Sequence, residues 1–354
     1  MGTWSAPDPA LEHFLLIAHG PALLNAVVTG IELDVFGCLS AHPGAGVEDI
    51  GKHVRIPPHQ LRVLLLALCA AQLVEKEDGR YTNSAVAEEH LVPDGPESWR
   101  HILLGWQRVY YPAFSHTTTA LRTGTNERAL ADHPGPGDSL YARLAHDPAL
   151  ESVFHKAMSA FTLQSLSGLT ECRELSGIRH LLDVGGGDGT TAVRIAERHP
   201  DLRVTVFDLP SVAGRAAGAV PAGLAERVRV RHGDVFADDF PDDADGVLFS
   251  HVLEVFSAER IQRLLAKAHA ALPPGGTVLV HGYNCAEDES GGIVAARLSL
   301  YLNVLASGEG MAYPARDYEE WLRRAGFADV RTYSGLPYEH GLHVGVKPAA
   351  PTMT

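Results

Sequence analysis

The stretch "LLDVGGGDGTT", residues 181–191, decides the fold. An apolar run ends at Asp183, and Gly185, Gly187 and Gly189 follow as a G-x-G-x-G turn before the helix-like "TTAVRIAERHP". Glycine permits the tight backbone of such a turn and lets a ligand approach the main chain. The fingerprint of a dinucleotide site, G-x-G-x-x-G, requires glycine at position 190. Thr190 stands there, which weighs against a pyrophosphate and against a nicotinamide oxidoreductase.

Outward from this turn, strand-like and helix-like runs alternate. "LRVTVFDLP" and "RVRVRHGDVF" read as strands, and "DGVLFSHV" is a strand leading into the amphipathic "SAERIQRLLAKAHAAL". "GGTVLVHGYN" is a further strand, "YEEWLRRAGF" a helix and "GLHVGVK" a final strand. This grammar predicts an α/β, Rossmann-like parallel sheet with helices on both faces. Asp208 stands 23 residues after Gly185 at the tip of the second strand, where a carboxylate accepts both hydroxyls of a ribose. Asp234 and Phe236 stand at the next tip, suited to an adenine amino group and an adenine face. An acid at a strand tip is by itself usually a turn former. Three successive tips, each matched to one part of a nucleoside, predict an adenosine ligand without pyrophosphate.

The N-terminal half reads differently. Residues 11–40 read as helices punctuated at Gly20-Pro21 and Gly30. Residues 47–84 run as a short helix, a Pro-Pro turn, an apolar helix and a hairpin around Asp78-Gly79, the order of a winged helix. Residues 97–176 read as mostly helical, broken by the loop "DHPGPGDS" at 132–139. The formal net charge of −14 argues against nucleic acid as a partner, and the 47–84 segment is charge-balanced. That also weighs against a winged-helix regulator that senses an adenosine ligand. "MGTWSAPDPA" lacks the basic and apolar regions of a leader, and no apolar run reaches about 18 residues, so no membrane span is expected. Cys38, Cys69, Cys172 and Cys285 are widely spaced, which predicts buried thiols in a reducing cytoplasm rather than disulfides.

"LLDVGGGDGT", "FDLPSV", "GDVF" and "PPGG" before "TVLV" resemble the S-adenosylmethionine-dependent small-molecule O-methyltransferases. The resemblance extends through residues 47–92 and the helix around 140–159 and so covers most of the chain. It implies a class I methyltransferase domain over 177–348 and a helical winged-helix-like dimerisation domain over 1–100. Residues 101–176 would form a helical linker contributing to the acceptor pocket. The cofactor would lie against Gly185, Gly187, Asp208, Leu209, Asp234, Val235, Phe236, Ser250 and Ser159. The implied assembly is a cytoplasmic homodimer, and the implied partner a small specialised metabolite. Trp106, Phe154, Met158, Phe161, Tyr301 and Met311 would sandwich a flat acceptor, with Asn303, Tyr110 and Tyr111 adding polar contacts. Aromatic residues at helical spacing are also ordinary core.

The stretch "FSHVLEVF", residues 249–256, departs from the family, whose corresponding segment usually reads like "HVLHDW" with the second His as general base. Glu254 occupies that position here, and His251 matches the upstream histidine. Of the two acids that normally steady the base, one aligns near Glu287 and the other falls at Ala312. A phenol titrates near 10 and an ordinary Glu near 4.3, an uphill proton transfer of roughly 8 kcal/mol. Burial raises a carboxyl by at most about 3–5 units, which leaves three routes open. Glu254 is a raised-pKa base; the acceptor is already ionised and proximity suffices; or a divalent metal at His251, Glu254, His281 and His340 acidifies it. The metal route would suit carbon methylation of a 2-oxo acid, as in some relatives. A scaffold that has lost methyl transfer is a fourth possibility, because fold does not fix function.

Overall fold

The computed structural model describes residues 8–349, so most of the "MGTWSAPDPA" stretch lies outside the described residues. Contacts divide the chain into two units, residues 1–107 and 108–354. The helical stretch that the sequence set apart at 101–176 is therefore split. Its start, the helix Trp99–Gly105, belongs to the first unit, and the remainder belongs to the second.

The first unit contains the hairpin of β1 (Val74–Glu77) and β2 (Arg80–Asn83), closed by Asp78 and Gly79, both at positive φ. That is the turn which an Asp-Gly pair favours. Its core is Val35, Phe36, Leu39, Ile50, Leu61, Leu65 and Leu68, all almost wholly buried. Helix Pro9–Glu32 runs unbroken through Gly20-Pro21 and Gly30, where the sequence predicted breaks. Proline there forfeits one hydrogen bond, and Asn25 Nδ2 donates to the Pro21 carbonyl at 2.8 Å. The helix is also long and apolar enough to cross a membrane, contrary to the expectation of no such segment.

In the second unit a seven-stranded sheet has the order β5-β4-β3-β6-β7-β9-β8. The strands are β3 (His180–Val184), β4 (Arg203–Asp208), β5 (Val228–His232), β6 (Gly246–Ser250), β7 (Thr277–Tyr283), β8 (Ala328–Leu336) and β9 (His340–Val346). β3 to β7 pair in parallel, and β9 runs antiparallel to β7 and β8. Alternate residues face opposite cores, as strand geometry requires. Leu182, Val184, Val247, Phe249 and Val280 pack on Ile261, Leu264, Leu265 and Leu322. Leu181, Leu248, Leu279, Val204 and Val206 pack on Ala192, Ile195 and Ala196. β8 was not expected from sequence. Its residues "ADVRTYSGL" bury no position fully, and two register irregularities interrupt its pairing, as befits an edge strand.

Strand order reverses between β3 and β6, which places the glycine turn and the ends of β4, β6 and β7 along one edge. Ligands of open α/β sheets bind at such a crevice.

Candidate active site

The cofactor side is built on main-chain groups. Gly185, Gly187 and Gly189 all have positive φ, and the Cβ position of Gly187 faces open space. A Cβ on Gly185 would lie 2.7 Å from Val252, so the turn also demands glycine sterically. The Asp208 carboxylate accepts the Gly187 N–H at 2.8 Å and the Leu209 N–H at 2.7 Å. Burial raises its pKa, and those two donors oppose the rise. Asp234 accepts the N–H groups of Phe236 and Ala237 through Oδ1, so one oxygen serves the local turn. Val235 lends its carbonyl to Lys267 Nζ at 2.7 Å. Phe236 meets Phe256 edge-on at 5.0 Å, and the Arg260 guanidinium lies 4.1 Å from its ring centre. Ser159 donates to Asp188 within the glycine turn. Ser250 lies 3.2 Å from His281 Nδ1, so its hydroxyl is directed at the histidines.

Beyond the tips of β6 and β7 lies a cluster of titratable groups. Glu254 sits in a one-turn 3₁₀ helix, Leu253–Val255, with its side chain 3% exposed. A Cβ on Gly282 would approach Glu254 Oε1 to 2.8 Å, so the glycine in β7 makes room for the carboxylate. Oε1 has no hydrogen-bond partner. Burial pushes the Glu254 pKa up to about 7, and the N–H groups of Glu254 and Tyr283 pull it back only in part. His251 Nδ1 stands 3.7 Å from Glu254 Oε1, too far for a hydrogen bond. His251 itself has φ +57, a left-handed conformation uncommon outside glycine and asparagine.

His251, His281 and His340 present ring nitrogens within 4.8 Å of one another. His340 donates from Nδ1 to the Pro337 carbonyl at 2.7 Å, which leaves its buried Nε2 a bare lone pair. The buried Nε2 of His281 also lacks a partner. Burial first, and mutual repulsion second, lowers His251 far below its usual value and His281 to about 3. Burial alone lowers His340 to about 4. All three are neutral imidazoles at neutral pH.

An aromatic wall faces this cluster. Tyr110 stacks obliquely on Tyr301 at 4.1 Å and meets Phe154 at 6.4 Å, and its hydroxyl reaches Met158 Sδ at 3.5 Å. Phe161 lies 5.6 Å from Tyr283, which in turn lies 4.1 Å from His340 and 5.2 Å from His251. The structure thus brings Phe154, Met158 and Tyr301 around Tyr110, with Phe161 beside Tyr283. It does not bring in Glu287, which is exposed after β7 and engaged through its carbonyl by Arg316. That loop departs from the sheet before position 287, and alignment alone gives no sign of it. Asn303 spends its amide on the Ser299 and Gly310 carbonyls, fixing a main-chain bend. Met311 is half-buried in the segment after that bend, and Tyr111 meets Phe114 edge-on. Trp106 falls in the first unit, where it packs edge-on against Trp99 at 5.7 Å.

The sequence reading did not single out Tyr283, nor Tyr141, 6.0 Å from Phe154, nor Tyr338 and Arg297, 6.1 and 5.9 Å from Phe161. Arg297 carried a legible signal: it is the only charged residue in the helical stretch 293–306.

An O-methyltransferase domain family matches residues 114–328. The chain belongs to that family. It is 31% identical to an L-tyrosine C(3)-methyltransferase of Streptomyces lavendulae, across 95% of this chain and 93% of the relative. It is 32% identical to a 3-hydroxy-5-methyl-1-naphthoate 3-O-methyltransferase of Streptomyces sahachiroi, across 92% and 95%. A crystal structure of the S-adenosylmethionine-dependent methyltransferase SibL, in its apo form, is 34% identical and superposes with a TM-score of 0.82 over 96% of this chain and 99% of that one. This family member is an S-adenosylmethionine-dependent methyltransferase of small acceptors. The open glycine turn and the doubly held Asp208 carboxylate suit that cofactor.

Proposed function

We propose that Glu254 is the general base of this methyltransferase and that the acceptor is a phenol of specialised metabolism. The observation that carries the reading is a buried carboxylate with pKa near 7 at the position where the family usually has histidine. Against a phenol near 10, the gap shrinks from roughly 8 to about 4 kcal/mol. A base poised near the working pH contributes about 10²–10⁴-fold. Glu254 takes the phenolic proton, and the oxygen's electron pair forms the bond to the methyl carbon. S-Adenosylmethionine supplies that methyl on a cationic sulfur, which leaves with the old bond's electron pair as S-adenosylhomocysteine. Gly185, Gly187, Asp208, Leu209, Asp234, Val235, Phe236, Ser159 and Ser250 are the proposed cofactor contacts, and Phe154, Met158, Phe161, Tyr301 and Met311 the proposed acceptor walls. Glu254→Gln tests the base: methyl transfer should fall at least 100-fold with S-adenosylhomocysteine affinity unchanged, and a fully active variant would remove Glu254 from that role.

A second reading rests on the three neutral imidazoles. His251, His281 and His340, with Glu254, have the donor set of a divalent metal site. Zinc–nitrogen bonds of about 2.1 Å place ligand nitrogens about 3.4 Å apart, so the triad would have to contract around an ion. A bound ion there would lower the pKa of an acceptor oxygen. Elemental analysis of purified protein should give a near-stoichiometric metal under this reading, and metal-free protein with full activity excludes it.

We further propose a cytoplasmic homodimer formed through the first unit. Leu11, Phe14, Leu15, Leu16 and Ile17 are exposed on the first helix, an apolar face that a second copy would cover. Light scattering should give twice 38.0 kDa, and a monomeric mass at micromolar concentration overturns the assembly.

A further inference from the structure

We infer that the acceptor carries a carboxylate as well as its phenol, and that Arg297 holds that carboxylate across the aromatic wall from Glu254. The inference rests on the reading of Glu254 as base and adds the substrate class.

Arg297 lies half-buried on the helix Ile293–Tyr301. Its guanidinium carbon stands 5.7 Å from the Tyr110 ring centre and 5.9 Å from that of Phe161. The same charge acts on the phenols of Tyr110, Tyr111 and Tyr283, lowering each against the upward push of burial. Tyr283 feels Glu254 with the opposite sign. Phe161, 5.9 Å from that cation, lies 5.6 Å from Tyr283, whose ring is 5.2 Å from His251, and His251 Nδ1 stands 3.7 Å from the proposed base, so a cation and a proton acceptor flank one run of aromatic rings.

The helix start is anchored. Glu339 accepts the Ala295 N–H at 2.8 Å, two residues before Arg297. Glu339 and Tyr338 both hold positive φ in the turn between β8 and β9, and that turn also places the Tyr338 ring 6.1 Å from Phe161. At its far end the helix is tied by Asn303 to Gly310, whose Cβ position is blocked by the Glu254 carbonyl. The segment that bears the cation is thus fixed to the segment that bears the base.

A guanidinium fork matches a carboxylate with two parallel hydrogen bonds, a geometry a lone ammonium lacks. Aromatic faces attract a cation by only about 0.5–2 kcal/mol, whereas a desolvated charge-assisted pair discriminates strongly against a neutral analogue. A flat ring between these two ends fits the wall of Tyr110, Phe161 and Tyr283. The ligand this arrangement recognises is a hydroxyaryl carboxylic acid, amino acids included.

The test uses matched pairs of hydroxyaryl carboxylic acids and their primary amides. Each is assayed for methyl transfer from S-adenosylmethionine and titrated calorimetrically against the protein loaded with S-adenosylhomocysteine. Wild type should prefer an acid over its amide at least tenfold in kcat/KM and in affinity. Arg297→Gln should lose that preference, with acid kcat/KM down by at least tenfold, the factor by which wild type prefers the acid, mainly through KM, and amide kcat/KM falling far less. Arg297→Lys should recover part of the acid preference, and S-adenosylhomocysteine affinity serves as the folding control for both. Equal use of acid and amide by wild type, an equal loss on both in Arg297→Gln, or no binding of any acid would overturn the inference. Arg297-dependent binding of an acid without methyl transfer would instead overturn the reading of Glu254 and leave the carboxylate anchor standing.

Discussion

Asp208, half-buried at the end of β4, and Glu254, buried just beyond the end of β6, are both carboxylates at one edge of the sheet, yet they are held differently. Asp208 receives two main-chain N–H groups at 2.8 and 2.7 Å before any ligand arrives. Glu254 is left with an oxygen that nothing bonds, and burial carries its pKa to about 7. Burial raises both and main-chain donors oppose the rise in both; the difference is that one Glu254 oxygen is left unbonded and its rise carries to about 7. A carboxylate that must bind a ribose is best kept ionised. One that must exchange a proton near neutrality is best kept on the edge of ionisation. Asp183, beneath the glycine turn, is the exception on the cofactor side: both its oxygens are unbonded and its pKa rises to about 7.

This contrast is most open to attack through paired variants. Glu254→Gln should lose about 10²–10⁴-fold in kcat/KM and nothing in S-adenosylhomocysteine affinity. Asp208→Ala should do the reverse, weakening S-adenosylhomocysteine about 100-fold by calorimetry, the scale of losing charged hydrogen bonds to a ribose. Undiminished cofactor binding in Asp208→Ala, or weakened binding in Glu254→Gln, would break the division of labour.

A smaller effect should appear in stability. Glu254 has its folded pKa raised, from 4.5 to about 7. Its contribution is therefore intact below about pH 4.5 and is lost as pH rises through about 7. Glutamine cannot ionise and escapes that loss. Relative to wild type, Glu254→Gln should gain up to about 3 kcal/mol between pH 5 and pH 8, read as a rising difference in denaturant midpoint. A difference that stayed constant over that range would show that Glu254 titrates normally.

The two regions also differed in how far the sequence disclosed them. The proposed cofactor side is local: a glycine turn and three strand tips, each within a few residues of chain, so spacing alone singled out Gly185, Gly187, Asp208 and Phe236 as candidates. The acceptor side is assembled from the helix Pro148–Ser165, the β6 and β7 ends, the helix Ile293–Tyr301 and the turn before β9, which no periodicity links. Glu254, His251, His281 and His340 were nevertheless legible, because strand order puts their strand ends on one edge. Tyr283 was not, since an aromatic residue at a strand end reads as core. Glu287 failed for the complementary reason: it aligned by position, but its loop turns into solvent. β8 escaped because an exposed edge strand lacks the apolar alternation that marks its neighbours.

The central claim is that Glu254 is a carboxylate base titrating near neutrality. The histidines around it do not compete for that assignment, since His281 and His340 are lowered to about 3 and about 4. The pH dependence of kcat/KM, measured from pH 5 to 9 on wild type and Glu254→Gln, tests it most directly. Wild type should rise tenfold per pH unit up to about pH 7 and then level, while the variant keeps its residual rate without that limb. A wild-type profile flat across pH 6–8, or the same limb in Glu254→Gln, would contradict the account.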